Sequence, residues 1–404
     1  MLYQAYQTYA DASEPLRALA RAGIGIGRIL SGIDDLGFTK DLSALLELTA
    51  RSKLSHKRPA FAIGPVTVGN EAFAVREETV LSLPFCNLVR FVKDGVASQP
   101  RMLVVAPLSG HFATLLRQTV ATLSRDHDVY ITDWKNARDI PLSEGRFGFE
   151  DYIDYVMRCL ETIGPGAHVL AVCQPCVQAL AAVAIMADEQ NPATPHSMTL
   201  MAGPIDARVN PTTVNRLATS HPIEWFERRL ISRVPFMLPG AGRKVYPGFV
   251  QLYSFMAMNM ERHTNAHRDL YHHLAAGRTA EAEAIMAFYD EYFSVLDLAA
   301  EFYIETIAMV FQEALLAKGT LMYRGRKVNP AAIRRTALLT VEGERDDICS
   351  VGQTAAAHEL CKGLRPHLKR HHFQAGVGHY GTFSGKRWNG QIYPAIRNLV
   401  LATS

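Results

Sequence analysis

The chain has 404 residues, 48% of them hydrophobic and 20% charged, and a formal net charge of +3. That length suits one large α/β domain with an insertion, or two domains. So mild a charge argues against a nucleic-acid partner.

Residues 1–55 are expected to be helical, because Leu16, Leu19 and Ala20, then Leu42, Leu45, Leu46 and Leu48, recur at helical spacing. Between them, Gly23-Ile24-Gly25-Ile26-Gly27 follows no strand and lacks the spacing of a dinucleotide fingerprint. It is read as a flexible connector. The opening Met1-Leu2-Tyr3-Gln4 carries no charged start before an apolar core, so no secretory signal is expected. No apolar run approaches the roughly 20 residues of a membrane span. A reducing cytoplasm is the expected location. Residues 62–68, 73–77, 80–83 and 86–92 make short β runs cut by Gly, Asn and Pro, an antiparallel lead-in to a sheet.

From 102 the pattern turns parallel. Buried strands at 102–106, 129–132, 169–172 and 197–202 alternate with helical stretches at 114–123, 149–163 and from Val177 onward. This alternation predicts a doubly wound, mostly parallel sheet with right-handed crossovers. It stops near 207, and strand character returns only at 336–341. The expected organisation is 1–206 as N-terminal helices and first part of the core, 207–330 as a helical cap insertion, and 331–404 as the rest of the core. Such a cap would cover the carboxyl edge of the sheet, where ligands bind in open α/β folds. Its Met and aromatic stripe at 248–260 reads as cap core that also presents an apolar mouth. The basic stretch 324–335 reads as a solvated loop and helix face. His263 and His267 have helical spacing but no Glu at 264, so an ordinary cap helix is expected there, with no metal.

Six cysteines lie at 86, 159, 173, 176, 349 and 361, too scattered for a disulfide framework or a four-cysteine zinc site. One of them, Cys173, falls where the strand at 169–172 turns into an Ala-rich helix. A side chain on that corner stands above the sheet, facing the free N–H groups of the helix start. Ala171 and Pro175 occupy the flanking positions that usually carry Gly. A small residue relieves crowding at such a turn, and Pro is tolerated where its missing N–H would have had no partner. Later strands deliver Asp346 on the turn after 336–341 and His379 on a Gly-rich loop after 368–374. Nucleophile, acid, histidine is the order of the α/β-hydrolase fold, with Cys in place of Ser. His379 would take the thiol proton, and Asp346, preferred over Asp347 as nearer the strand end, would fix the imidazole tautomer. The backbone N–H groups of Gln174 and of the loop after the first parallel strand, most simply Ser109, would meet an oxyanion.

With these residues in view, the sequence resembles the intracellular polyhydroxybutyrate depolymerases of the α/β-hydrolase superfamily. The resemblance rests on Val172-Cys173-Gln174-Pro175, Gly203-Pro204-Ile205-Asp206, Thr340-Val341-Glu342-Gly343-Glu344 with Asp346-Asp347-Ile348 and Gly352-Gln353-Thr354, and Gly378-His379-Tyr380-Gly381. It implies a Cys173–Asp346–His379 triad that cleaves the amorphous polyester of storage granules through a thioester acyl-enzyme. Water is the acceptor, or CoA in its place, and no resident cofactor is implied. The expected partner is the polymer or granule surface. Cys176 departs from the family pattern, and Cys173-Gln174-Pro175-Cys176 also reads as a thiol-redox motif. The rival readings are therefore a thiol-disulfide oxidoreductase using Cys173 and Cys176, a polyhydroxyalkanoate synthase on the same fold, and a granule-coating protein with a dead hydrolase fold.

Overall fold

The computed structural model describes residues 2–30, 37–258 and 260–404. Its centre is an eight-stranded sheet: β1 (Arg76–Ser82), β2 (Cys86–Val92), β3 (Arg101–Val105), β4 (Asp128–Trp134), β5 (His168–Val172), β6 (Ser197–Met201), β7 (Ala337–Gly343) and β8 (Lys369–Gln374). The strands lie in the order β8-β7-β6-β5-β3-β4-β2-β1. Only β2 runs against its neighbours; every pairing from β4 to β8 is parallel. β5 and β6 are buried at every position, as strands covered on both faces must be. This is the α/β-hydrolase architecture.

Helices α1 (Leu2–Leu30) and α2 (Gly37–Arg51) form an N-terminal hairpin. The expected Gly-rich connector is corrected here, because α1 continues through Gly23–Gly27. Its glycine has a packing reason: a Cβ on Gly23 would stand 2.9 Å from Leu46 Cδ1 of α2. Tertiary packing overrides the helix-breaking tendency of single glycines, about 1 kcal/mol each. The leucine stripe also turns the other way. Leu16, Leu19, Leu42 and Leu45 are exposed, while Ala20 and Ala44 are buried.

The four short β runs are redistributed. Val66–Val68 and Glu71–Phe73 make a separate small hairpin. The runs at 73–77 and 80–83 are replaced by the single strand β1, whose register shifts between Thr79 and Leu81. Such a bulge breaks the alternation and makes one strand read as two.

Helix α3 (Arg117–Leu123), α4 (Phe149–Ile163) and α5 (Cys176–Asp188) are the crossovers. α4 starts where Asp151 accepts from the Gly148 N–H at 2.7 Å and Glu305 accepts from the Phe149 N–H at 2.6 Å, capping otherwise orphaned donors. α5 is buried on all sides from Cys176 to Met186, and its alanines let it approach the sheet closely.

Between β6 and β7 lies the cap: α6 (Thr213–Thr219), α7 (Ile223–Leu230), α8 (Gly248–Met258), α9 (Met260–Ala275), α10 (Thr279–Tyr292) and α11 (Ala300–Thr306). It is not purely helical. Ser232–Arg233, Lys244–Tyr246 and Leu298–Ala299 form a three-stranded sheet within it. The basic stretch starts in a tight hairpin, Met322–Tyr323 against Arg326–Lys327, with Arg324 paired to Asp154 and Arg326 to Glu189. The chain closes on α12 (Tyr393–Thr403). No described helix is long and apolar enough to cross a membrane.

Candidate active site

The corner between β5 and α5 is strained. Cys173 has φ 68°, in the left-handed region that L-residues with side chains avoid. Its N–H donates to Met201 O of β6 at 2.8 Å and its carbonyl accepts from Cys176 N–H at 3.2 Å, which holds the bend. Gly203 permits the tightness: a Cβ there would lie 2.2 Å from Cys176 Cβ and 2.7 Å from Cys173 O. The Cys173 side chain is left half-buried above the sheet.

His379 follows β8 on a single 3-10 turn, His379–Thr382, whose Thr382 hydroxyl donates back to His379 O at 2.7 Å. Its Nδ1 lies 2.8 and 3.0 Å from the two Asp346 carboxylate oxygens. Cys173 lies near enough to act on the charge of the same ring. Burial alone would drive charge off this ring. The Asp346 carboxylate, hydrogen-bonded to the ring, and the nearby Cys173 prevail and hold the imidazole well above its usual value. Asp346 Oδ1 accepts from the N–H groups of Ile348 and Cys349 at 2.9 and 2.8 Å, which fixes the carboxylate from behind. Asp347, the neighbouring acid, is exposed. Of the three residues named from their order along the chain, Asp346 and His379 are in direct contact, and Cys173 stands beside the ring.

The acid loop is held by a residue whose role sequence reasoning missed. Glu342 of β7 is buried and accepts from the N–H groups of Gly352, Thr354 and Ala355 at 2.9, 2.7 and 2.8 Å. Thr354 in turn exchanges hydrogen bonds with both backbone groups of Gly203, at 2.9 and 3.0 Å. The Glu342, Gly352-Gln353-Thr354 and Gly203 motif residues therefore serve one purpose: they tie the acid loop to the floor of the elbow. A buried acid in a strand followed by Gly-Gln-Thr was the visible signal.

Ser109 lies on the Pro107–His111 loop after β3, the strand beside β5. Trp134 Nε1 and Tyr152 OH both donate to Ala106 O, at 2.8 and 2.9 Å, and fix where this loop leaves the sheet. Gly110 has φ 97°, its carbonyl accepts from Leu296 N–H of the cap, and a Cβ would press on Gln251 of α8 at 2.8 Å. Ser109 is half-buried between buried Leu108 and Gly110. Among the described residues no backbone acceptor takes the N–H of Gln174 or of Ser109.

The cap closes over this centre with aromatic groups. Tyr380, next to the histidine, packs with Leu252, Tyr289, Tyr292 and Val295. His111 stacks on Phe255 and lies tilted against Tyr292, and burial pushes its imidazole down to about 4. Leu252 and Tyr289 also line a cavity of about 1470 Å³ walled by both the cap and the N-terminal hairpin. His263 and His267 belong to this packing: His263 Nδ1 meets Tyr289 OH at 2.9 Å, and His267 lies against Tyr289 and Phe293.

Cys176, the other cysteine of the motif, is fully buried, with Sγ directed at the carbonyls of Ala171 and Met201 at 3.4 and 3.6 Å. Burial and the nearby Cys173 push its thiol well up.

No curated protein matches this sequence. Among solved structures, the chain overlaps in part with the epoxide hydrolase of Bacillus megaterium, at 12% identity over 81% of this chain and 100% of the other, TM-score 0.47. It overlaps likewise with the monoacylglycerol lipase of Paleococcus ferrophilus, at 13% identity over 76% and 97%, TM-score 0.44. Strand order and the sense of each pairing, rather than these partial overlaps, define the architecture. The family model described as "PHB de-polymerase C-terminus" matches residues 202–404, which carry the acid, the histidine and the whole cap. The chain belongs to this depolymerase family, and its chemistry is that of an ester-cleaving hydrolase.

Proposed function

We propose that the chain is a thiol-dependent depolymerase that cleaves the ester bonds of amorphous poly(3-hydroxybutyrate) at storage granules in the cytoplasm. The observation that carries the reading is Cys173 at a left-handed strand-to-helix corner beside a buried His379 that is hydrogen-bonded to Asp346. Cys173 Sγ attacks the ester carbonyl carbon, its proton having already passed to His379 Nε2, the ring nitrogen not engaged by Asp346. The carbonyl oxygen gains the negative charge, and the N–H groups of Gln174 and Ser109 receive it. The C–O bond then breaks, and His379 returns the proton to the departing alkoxide, which leaves as an alcohol. The acyl group remains on Cys173 as a thioester. Water attacks it with His379 as base, the C–S bond breaks, and the acid departs. A CoA thiol replacing water would release the acyl group as a CoA thioester by the same steps.

The burial of Cys176 weighs against a disulfide oxidoreductase, because a resolving thiol must be reachable and ionisable. The test is release of hydroxybutyrate species from amorphous polymer particles, with and without CoA. Cys173→Ala and His379→Gln are expected to fall by at least about a thousandfold, in line with loss of a member of such a triad. Cys176→Ala should keep activity within a few-fold. Loss in Cys176→Ala with full activity in Cys173→Ala would overturn the assignment.

A further inference from the structure

One surface of the cap is built to stay rigid while exposing apolar groups. The strands Ser232–Arg233 and Lys244–Tyr246 pair through Lys244↔Arg233 and Val245↔Ser232, and the chain between them folds into a tip. Val234 N–H donates to Arg243 O at 2.9 Å, Gly242 N–H to Val234 O at 3.0 Å and Leu238 N–H to Pro235 O at 3.1 Å. Its root is anchored on both sides. Val234 is buried with Tyr3, Ala137 and Val245, and Leu238 packs against them. The Arg243 guanidinium donates to the carbonyls of Ile140, Pro141 and Gly145. Above this root Phe236 is 87% exposed and Met237 81% exposed. Leu142, 57% exposed, stands on the adjoining loop.

Two proline-flanked apolar side chains held outward on a pinned turn gain nothing from the fold itself, since neither is buried by it. Two cations stand at the base of the tip, with the exposed Glu144 on the Leu142 turn beside them. Arg233 is exposed and, among the described residues, has no carboxylate partner; Lys244 is exposed and only loosely paired with Glu227 at 3.4 Å. The side of the molecule also matters. The loop beneath the tip follows the carboxyl end of β4, and Cys173 follows the carboxyl end of the parallel strand β5, so tip and elbow share one edge of the sheet.

We propose that the Phe236–Met237 tip, with Leu142 beside it, seats the enzyme on the surface of the amorphous polyester. The proposal rests on the depolymerase reading and adds how the insoluble substrate is met. An aliphatic polyester offers methyl and methylene groups and no hydrogen-bond donors, so it takes apolar side chains without leaving a polar group unpaired. Each hydrolytic cut leaves a carboxylate on that surface, which the Arg233 and Lys244 collar complements.

The experiment measures adsorption to amorphous polyhydroxybutyrate particles in a Cys173→Ala background, so that the particles are not consumed. Hydrolysis of a soluble butyrate ester is followed separately with Cys173 intact, and circular dichroism checks the fold. Phe236→Ser/Met237→Ser should weaken adsorption at least about tenfold, with soluble-ester turnover within about twofold; tenfold corresponds to a 1.4 kcal/mol difference. Arg233→Gln/Lys244→Gln should weaken adsorption about threefold and flatten its salt dependence. Unchanged adsorption of the folded serine variant would overturn the proposal. So would a loss confined to phosphatidylglycerol vesicles, which would assign the tip to lipid. If the wild-type chain cleaves no ester while tip-dependent adsorption persists, the catalytic reading fails and the docking surface stands.

Discussion

Cys173 and His379 illustrate how much a single residue's setting decides. The φ of 68° at Cys173 is tolerated because the backbone is tied on both sides and because Gly203 yields the space below. Ala171 and Pro175 signalled this corner in the sequence, as small and turn-compatible residues around a cysteine. The space below it was not legible, since Gly203 lies thirty residues on and its partner Cys176 looked like a redox group. Gly203→Ala is therefore expected to destabilise by several kcal/mol, as overpacking against backbone does, or to prevent folding. Urea unfolding, with soluble yield as a second readout, checks it. His111 makes a pH prediction. Burial holds its folded value near 4, against the 6.5 of a free imidazole. The neutral ring's contribution is thus complete above pH 6.5 and is lost as pH falls through about 4, up to about 3 kcal/mol in all. His111→Phe keeps an aromatic ring between Phe255 and Tyr292 but cannot titrate. Its urea midpoint should fall less than that of the wild type between pH 7.5 and 4.

Among the elements, the parallel strands were the most legible, because strands buried on both faces carry uninterrupted apolar runs. The order of acid and histidine followed from the strands that precede them. The register shift in β1 hid one strand as two, and the glycines of α1 read as a break because their contact with Leu46 comes from a different helix. The loop after β7 depends on Glu342, which engages three N–H groups at once. Glu342→Ala leaves those donors buried and unmet, at a cost of about 3–5 kcal/mol. Activity should fall further than stability explains, because Asp346 loses its backing. Comparing kcat at a temperature where the variant remains folded separates the two effects. Glu342→Gln, which keeps an acceptor oxygen, should recover part of both.

Across the whole molecule, the cap and the N-terminal hairpin are joined through polar groups as well as apolar ones. Arg51 makes a two-pronged contact with Asp290 of α10, both bonds 2.7 Å. The pair is exposed, so Arg51→Ala should cost less than about 1 kcal/mol. A deeper contact lies at Asp297, which is fully buried between cap and core. It accepts from Tyr3 OH at 2.7 Å and from Gly248 N–H at 2.9 Å, and its own N–H and carbonyl engage Asn136 Oδ1 and Ala137 N–H. Tyr3→Phe is expected to cost about 1–2 kcal/mol in urea unfolding. The leucines at 16, 19, 42 and 45 gave the helices but not which face they present, because periodicity alone does not say what lies opposite.

Asp297 joins the first turn of α1, the start of α8 and the loop after β4 at a single residue, the first two through its carboxylate and the third through its backbone. A cap that moved while this pin held would have to turn about it. The root of the Phe236 tip packs on Tyr3 and Ala137, two of the pin's own neighbours, so the tip would keep its place through such a turn. On the depolymerase proposal, mooring to the polymer and admission of a strand would then be mechanically separate.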